Sequence, residues 1–364
     1  MKNKLIERIK NFNITILITL FLLLSCGSGQ QPQAGNGGSA ATGGRSLSEV
    51  LMDVSRSAEN AFYSFLELLS DTLGLRVTKD TTKQQIGDYF KSLGDKLGQA
   101  SDELEEVAKK SETDVDKGGL NKVIRSAVDT AKTTLNTLKT LLNSLKDIGD
   151  GEKVGDATSN QNGVAAAEDE LKVAYKALQE IVKAAKEKGV PEPELGDTAV
   201  KVGNGTDNKD GAKILGTNAA ATAGDSGKAA AILTTVSGEE ILASIVVSKD
   251  ADVAGVTGQA NAQTSAVAFA KGGQADHVSH SADAKAAAVA GGIALRSLVK
   301  GGKLAAAAAG NAGGQEEVQK VGITAANKLL VAVEDIIKKT VKNVLKTTKE
   351  KIDEARAPKP ADQQ

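Results

Sequence analysis

Cys26 is the only cysteine in 364 residues. The chain can therefore form neither an internal disulfide nor a zinc site built on thiolates. The cysteine stands in LLLSCGSG, Leu22–Gly29, between an apolar run and a glycine-rich one. Ser25, Gly27 and Ser28 offer the thiol no apolar pocket, so a packing role does not fit. The other chemical candidates are near misses. Gly227-Lys228 in GDSGKAA has Thr222 where a phosphate-binding loop needs glycine, and Ala229 where it needs Ser or Thr. Asp114 and Asp116 begin a calcium-loop pattern, but its fifth position is Gly118 and its twelfth, which needs a bidentate Glu, is Arg125. His277 and His280 share one helix face by spacing and would need a third metal ligand; as a pair without cysteine they read as exposed polar residues. Lys338, Lys339, Lys342, Lys346 and Lys349 form the most basic cluster. The favoured reading is a solvated stripe balanced by Glu334, Asp335, Glu350 and Asp353. The alternative is an adhesin that contacts a polyanion such as host glycosaminoglycan through Lys338, Lys342 and Lys346. No catalytic, cofactor or metal site is expected. With 45 basic and 46 acidic residues, no charge bias points to nucleic acid.

The region before Cys26 explains its position. Lys2, Lys4, Arg8 and Lys10 give a basic start, and Ile14–Leu24 is an almost unbroken apolar segment about half the length of a membrane span. That is the layout of a secretory signal peptide, residues 1–25. Its end resembles the lipobox of bacterial lipoproteins, with Leu23 and Ser25 at the −3 and −1 positions; Leu24 is bulkier than the small residue usual at −2. The resemblance implies cleavage before Cys26 and attachment of three acyl chains to it. Each buried CH₂ contributes ~0.8 kcal/mol, so several chains anchor stably where one does not. Residues 26–45, GSGQQPQAGNGGSAATGGR after the cysteine, lack any periodicity. They read as a flexible tether spanning ~25 Å.

The elements beyond the tether are helical. Ser46 and Glu49 have capping-box spacing, and Leu47, Val50, Leu51, Val54, Ala58, Ala61, Phe62, Phe65 and Leu69 then recur at three and four. A second helix is predicted on Ile86, Tyr89, Phe90, Leu93, Leu97, Leu104 and Val107, weakened locally by Gly87, Gly94 and Gly98. A third uses Leu120, Val123, Ile124, Ala127, Ala131, Leu135, Leu138, Leu142 and Leu145. A fourth runs from Leu171 to Ala185 and stops at Gly189, before Pro191. Together these make a helical frame over 46–189, with the few aromatics in its core.

Composition then changes. Residues 190–314 are rich in Gly and Ala, and helical pieces shorten to Ala229–Val236 and a segment opening at Ser237 with Glu240 in capping-box spacing. GDTAVKVGNGTDNKDG, residues 196–211, carries little apolar surface and is expected on the outside. A long C-terminal helix over 315–356 holds one face with Val318, Val321, Ala325, Leu329, Val333, Ile336, Ile337, Val344, Leu345 and Ile352, and is expected to pair with the first helix. Residues 357–364 read as a disordered tail. The fold class is mainly α: an elongated helical bundle, with long terminal helices as a membrane-proximal frame and a distal region of loops and short helices.

The whole pattern resembles the spirochaete variable large proteins, the large class of variable major lipoproteins. The sharpest likeness is AAAVAGGIALRSLVKGGKLA, Ala286–Ala305, which is similar to a family block of Ile-Ala-Leu-Arg followed by Lys-x-Gly-Lys. SFLELLSDTLG and AANKLLVAVEDIIKKTVKNVLKTTKEKIDEAR also look like family flanks. The resemblance implies a non-enzymatic surface antigen held in the outer membrane through the acylated cysteine. It also implies expression one variant at a time, and host antibody as the partner evaded. Within the block, Ile293, Leu295, Leu298 and Val299 are expected to be partly buried in a short helix bracketed by Gly291, Gly292, Gly301 and Gly302, as a frame element and not as a binding site.

Overall fold

A computed structural model describes residues 75–111, 120–201, 207–308 and 313–356. Cys26, the tether, the Ser46–Glu49 capping box, the first predicted helix, Asp114, Asp116 and the tail lie outside the described residues. Among the described residues the helices in chain order are α1 (Lys83–Ser111), α2 (Leu120–Ser144), α3 (Glu168–Lys186), α4 (Asp225–Thr234), α5 (Gly238–Val246), α6 (Ala266–Lys271), α7 (Ala275–Val278), α8 (Ala286–Leu298) and α9 (Gln315–Arg356). Extended pairing among them is limited to isolated bridges, such as Val164 with Lys303 and Gly216 with Gly273. The fold is mainly α, as the sequence implies.

The long helices form where apolar residues recur at three and four. α1 opens on a capping box: Thr82 Oγ1 accepts from Gln85 N (3.2 Å) and Gln85 Oε1 from Thr82 N (2.8 Å). It buries Ile86, Phe90, Leu93, Leu97, Leu104 and Val107 against α2, which answers with Ile124, Ala127, Ala131, Leu135, Leu138 and Leu142. Each such leucine or isoleucine taken out of water contributes about 1.5–3 kcal/mol. Val123, expected on the buried face, is exposed. The glycines of α1 do not interrupt it. They face α2 and its 3₁₀ extension (Leu145–Asp147), where a Cβ on Gly87 would lie 2.0 Å from the Lys146 carbonyl oxygen. The propensity lost at Gly87 is exchanged for close helix approach. α3 ends as expected at Gly189 (φ 76°), through a Schellman turn with Val190 N–H bonded to Ala185 O at 3.1 Å.

α9 has 42 residues, ~63 Å at 1.5 Å each. All ten residues assigned to its apolar face are buried, and it packs against α2, α3, α4, α5 and α8. The predicted pairing partner, the first helix, is outside the described residues.

The middle of the chain holds the greatest departure from expectation. α5 follows Ser237 as expected, with both capping-box hydrogen bonds of Ser237 and Glu240 formed, while α4 spans Asp225–Thr234 against the expected Ala229–Val236. Of the 196–211 segment expected outside, residues 196–199 and 201 are exposed or half-buried, but its end runs into a seven-residue 3₁₀ helix, Lys209–Leu215, with Gly211, Ala212, Ile214 and Leu215 buried. Sequence periodicity does not signal so short a 3₁₀ helix, because its apolar residues are too few. Every residue of α8 is buried, not only its four large apolar ones. Gly291 and Gly292 lie inside α8 and do not bracket it. A Cβ on Gly292 would be 2.4 Å from the Phe269 Cβ of α6. The glycines let α8 sit backbone-close to its neighbours at the centre of the molecule.

Candidate functional site

The centre of the molecule contains a cation. Arg296, on the last turn of α8, has no exposed surface. Its Nε donates to Ala270 O (2.8 Å), its Nη1 to Leu215 O (3.0 Å) and its Nη2 to Phe269 O (3.4 Å). These carbonyls end α6 and the 209–215 turn. They are groups that a helix leaves without partners, and they carry partial negative charge. Among the described residues no carboxylate answers the guanidinium. Burial alone pulls its pKa down to about 9, so it remains charged at neutral pH. Gly272 makes room for it: φ is 78°, and a Cβ there would lie 2.1 Å from Nη2.

Two lysines repeat the arrangement. Lys83, at the start of α1 and fully buried, donates to Val299 O (3.0 Å) and Gly302 O (2.6 Å), just past the end of α8. Burial lowers its pKa, opposed by Asp150 and Asp156. Lys328 of α9 donates to Leu233 O (2.8 Å) and Val236 O (2.5 Å) at the end of α4. The Ala286–Ala305 block is thus largely buried core, with Arg296 as its polar centre. Arg296, Lys83 and Lys328 carry no signature in helical periodicity. Arg296 alone left a trace: it is the single charge in thirteen otherwise uncharged residues.

The residues singled out for chemistry are not brought together. Lys338 turns inward to Glu334 (3.4 Å), a buried carboxylate that also accepts from the Tyr89 hydroxyl. Burial and that carboxylate raise the phenol well above its ordinary pKa, so it keeps its proton. Lys339 pairs with Asp335 (2.7 Å), Lys346 with Glu350 (3.7 Å), and Lys349 with Asp353, while Lys342 is exposed. Lys338, Lys339, Lys346 and Lys349 meet their counter-charge on their own helix, and the glycosaminoglycan reading gains no support. Lys228 of GDSGKAA is taken up by Asp210. His277 sits on the four-residue α7, and among the described residues no group of three or more His, Cys, Asp or Glu is placed to hold a metal.

The chain has relatives along its whole length. It is 61% identical over 366 residues to variable large protein 25 of Borrelia hermsii, covering 99% of each chain. It is 58% identical over 368 residues to variable large protein 21 of the same species, covering 100% of each. Variable large protein 12 retains 27% identity over 93% of this chain and 90% of its own. Among solved structures, the Lyme disease variable surface antigen VlsE of Borrelia burgdorferi superposes with a TM-score of 0.66 at 22% identity, covering 84% of this chain and 98% of that one. The model of the Borrelia lipoprotein family matches residues 58–352, and with these full-length relatives the chain belongs to that family, among its variable large proteins.

Proposed function

We infer that this protein is an outer-surface lipoprotein antigen, one of a switched set of variants that lets the cell evade host antibody. The observation that carries this is the grading of its relatives. Identity falls from 61% to 27% among variable large proteins aligned over nearly the full chain. A mainly α architecture that keeps a TM-score of 0.66 at 22% identity shows how much replacement the fold accepts. A family that keeps its frame while replacing its sequence changes what an antibody meets without changing what the cell must fold.

In this reading residues 1–25 direct export, Cys26 carries the lipid and residues 26–45 space the folded part from the membrane. The long helices of 46–189 and 315–356 form the membrane-proximal frame, and 190–314 supplies the presented region. The work is presentation, and no reaction is assigned. Two measurements test it. Antiserum raised against this chain is expected to bind intact cells expressing it and to lose most binding on cells expressing a variant about 58% identical; equal binding to both would sink the antigenic reading. Cys26→Ala is expected to abolish acyl labelling and release the protein from the membrane fraction; retention would sink the anchor.

A further inference from the structure

Several of the polar contacts that tie the short elements to the long helices run from a side chain to main-chain oxygens, beside side chain–side chain bonds such as Tyr175 to Asp250 and Ser226 to Glu317. Arg296 reaches Leu215, Phe269 and Ala270 only at their main-chain oxygens. Lys83 does the same at Val299 and Gly302, and Lys328 at Leu233 and Val236. Gln179 of α3 donates to the carbonyls of Val246 (2.9 Å) and Ser248 (2.8 Å), where α5 ends. A carbonyl oxygen is present whatever side chain its residue carries. At a helix C-terminus it also lacks an internal partner, so it is always available as an acceptor. The donor is fixed by sequence; the acceptor is fixed only by fold.

The same segments also have ties through side chains. Asp210 pairs with Lys213 (3.0 Å) and Lys228, and Lys271 with Glu168 (3.4 Å). These need both residue types at once and lie in partly exposed positions, where ion pairs contribute little.

We propose that Arg296 is a sequence-blind clamp: it holds the 209–215 segment and α6 through main-chain oxygens, so this attachment does not itself depend on which side chains those segments pack into the core. Lys83 and Lys328 extend the device to the end of α8 and to α4. Gly272 completes it, because a side chain there would occupy the guanidinium's seat. The inference deepens the antigen reading and rests on it for its purpose, since a presented region replaced between variants needs an attachment that survives replacement.

The test is amide hydrogen exchange on the full purified chain, which measures attachment and not antibody escape. A failed antiserum experiment and a failed clamp are therefore separable. In Arg296→Met, amides of 209–216 and 266–273 are expected to exchange at least tenfold faster, with α1 and α2 changed less than threefold. The combined Asp210→Ala and Lys271→Ala variant, which removes the ion pairs of the same segments, is expected to stay within threefold throughout. Should Arg296→Met fail to fold, Arg296→Lys keeps the charge and loses the fork; loosening confined to the two segments then supports the clamp. Unchanged exchange in both Arg296 variants, uniform loosening of the whole chain, or a larger effect from the salt-bridge variant would overturn it.

Discussion

The α1–α2 pair and the region from the 209–215 turn to α8 solve the same problem with different means. The long pair buries rows of leucine, isoleucine and valine along continuous faces, and its attachment is side chain against side chain. The middle region has helices of 4 to 13 residues, too short to carry such rows. It compensates with glycine-permitted backbone contact and with buried donors aimed at helix ends. Apolar packing depends on the summed volume of many residues, whereas the clamped region depends on a few positions that admit one residue type. The first kind of attachment degrades gradually under substitution, and the second fails at single points.

The contrast can be broken at its sharpest point first. Gly272→Ala forces a side chain into a backbone conformation reserved for glycine and into the seat of Arg296. A loss of about 4 kcal/mol is expected from strain and overpacking together, read by denaturant unfolding; a change below about 1 kcal/mol would contradict the seat. Leu138→Ala, fully buried on α2, is the frame's counterpart and is expected to cost about 3 kcal/mol. The two should differ in exchange as well: the first loosens 209–216 and 266–273, the second α1 and α2. Ser237→Ala removes a formed capping box and should cost about 1 kcal/mol, seen as a small drop in melting temperature.

Lys132 and then Arg125, by hydrogen bonds to it, hold the Glu105 carboxyl down to about 2 from its ordinary 4.5 and join α1 to α2. With the folded pKa below the unfolded one, the unfolded chain binds the extra proton. The contribution is therefore present above pH 4.5 and is lost as pH falls from 4.5 towards about 2. Glu105→Gln should flatten that part of the stability profile and leave the middle region's exchange unchanged. Smallest of all, Lys339→Ala removes an exposed pair with Asp335 and should shift stability by less than about 0.5 kcal/mol.

Sequence patterning revealed the frame and the cap at Ser237 because both are periodic or local signals. Ile86 to Val107 on α1 and Val318 to Ile352 on α9 repeat often enough to define a face. The apolar character of α8 was also visible, but its complete burial was not, since alanine and glycine serve equally in loops and in tightly packed helices. Gly87 illustrates the ambiguity: propensity counts it as a defect, yet its contact with the Lys146 carbonyl requires it. Arg296 escaped because a buried cation is ordinarily inferred from a matching acid. Its partners are main-chain oxygens, which sequence does not display.

α9 spans Gln315–Arg356, the end of the described residues. It is latched by polar side chains to distant parts of the chain: Gln319 donates to Lys79 O, Asn327 pairs with both the N–H and the C=O of Val77, and Glu334 receives Tyr89. Those partners stand 240 to 250 residues earlier. None of these bonds can close before α9 has been synthesised, and contacts of such separation form slowly. The order of manufacture therefore postpones completion of the core until nearly all of the polypeptide exists.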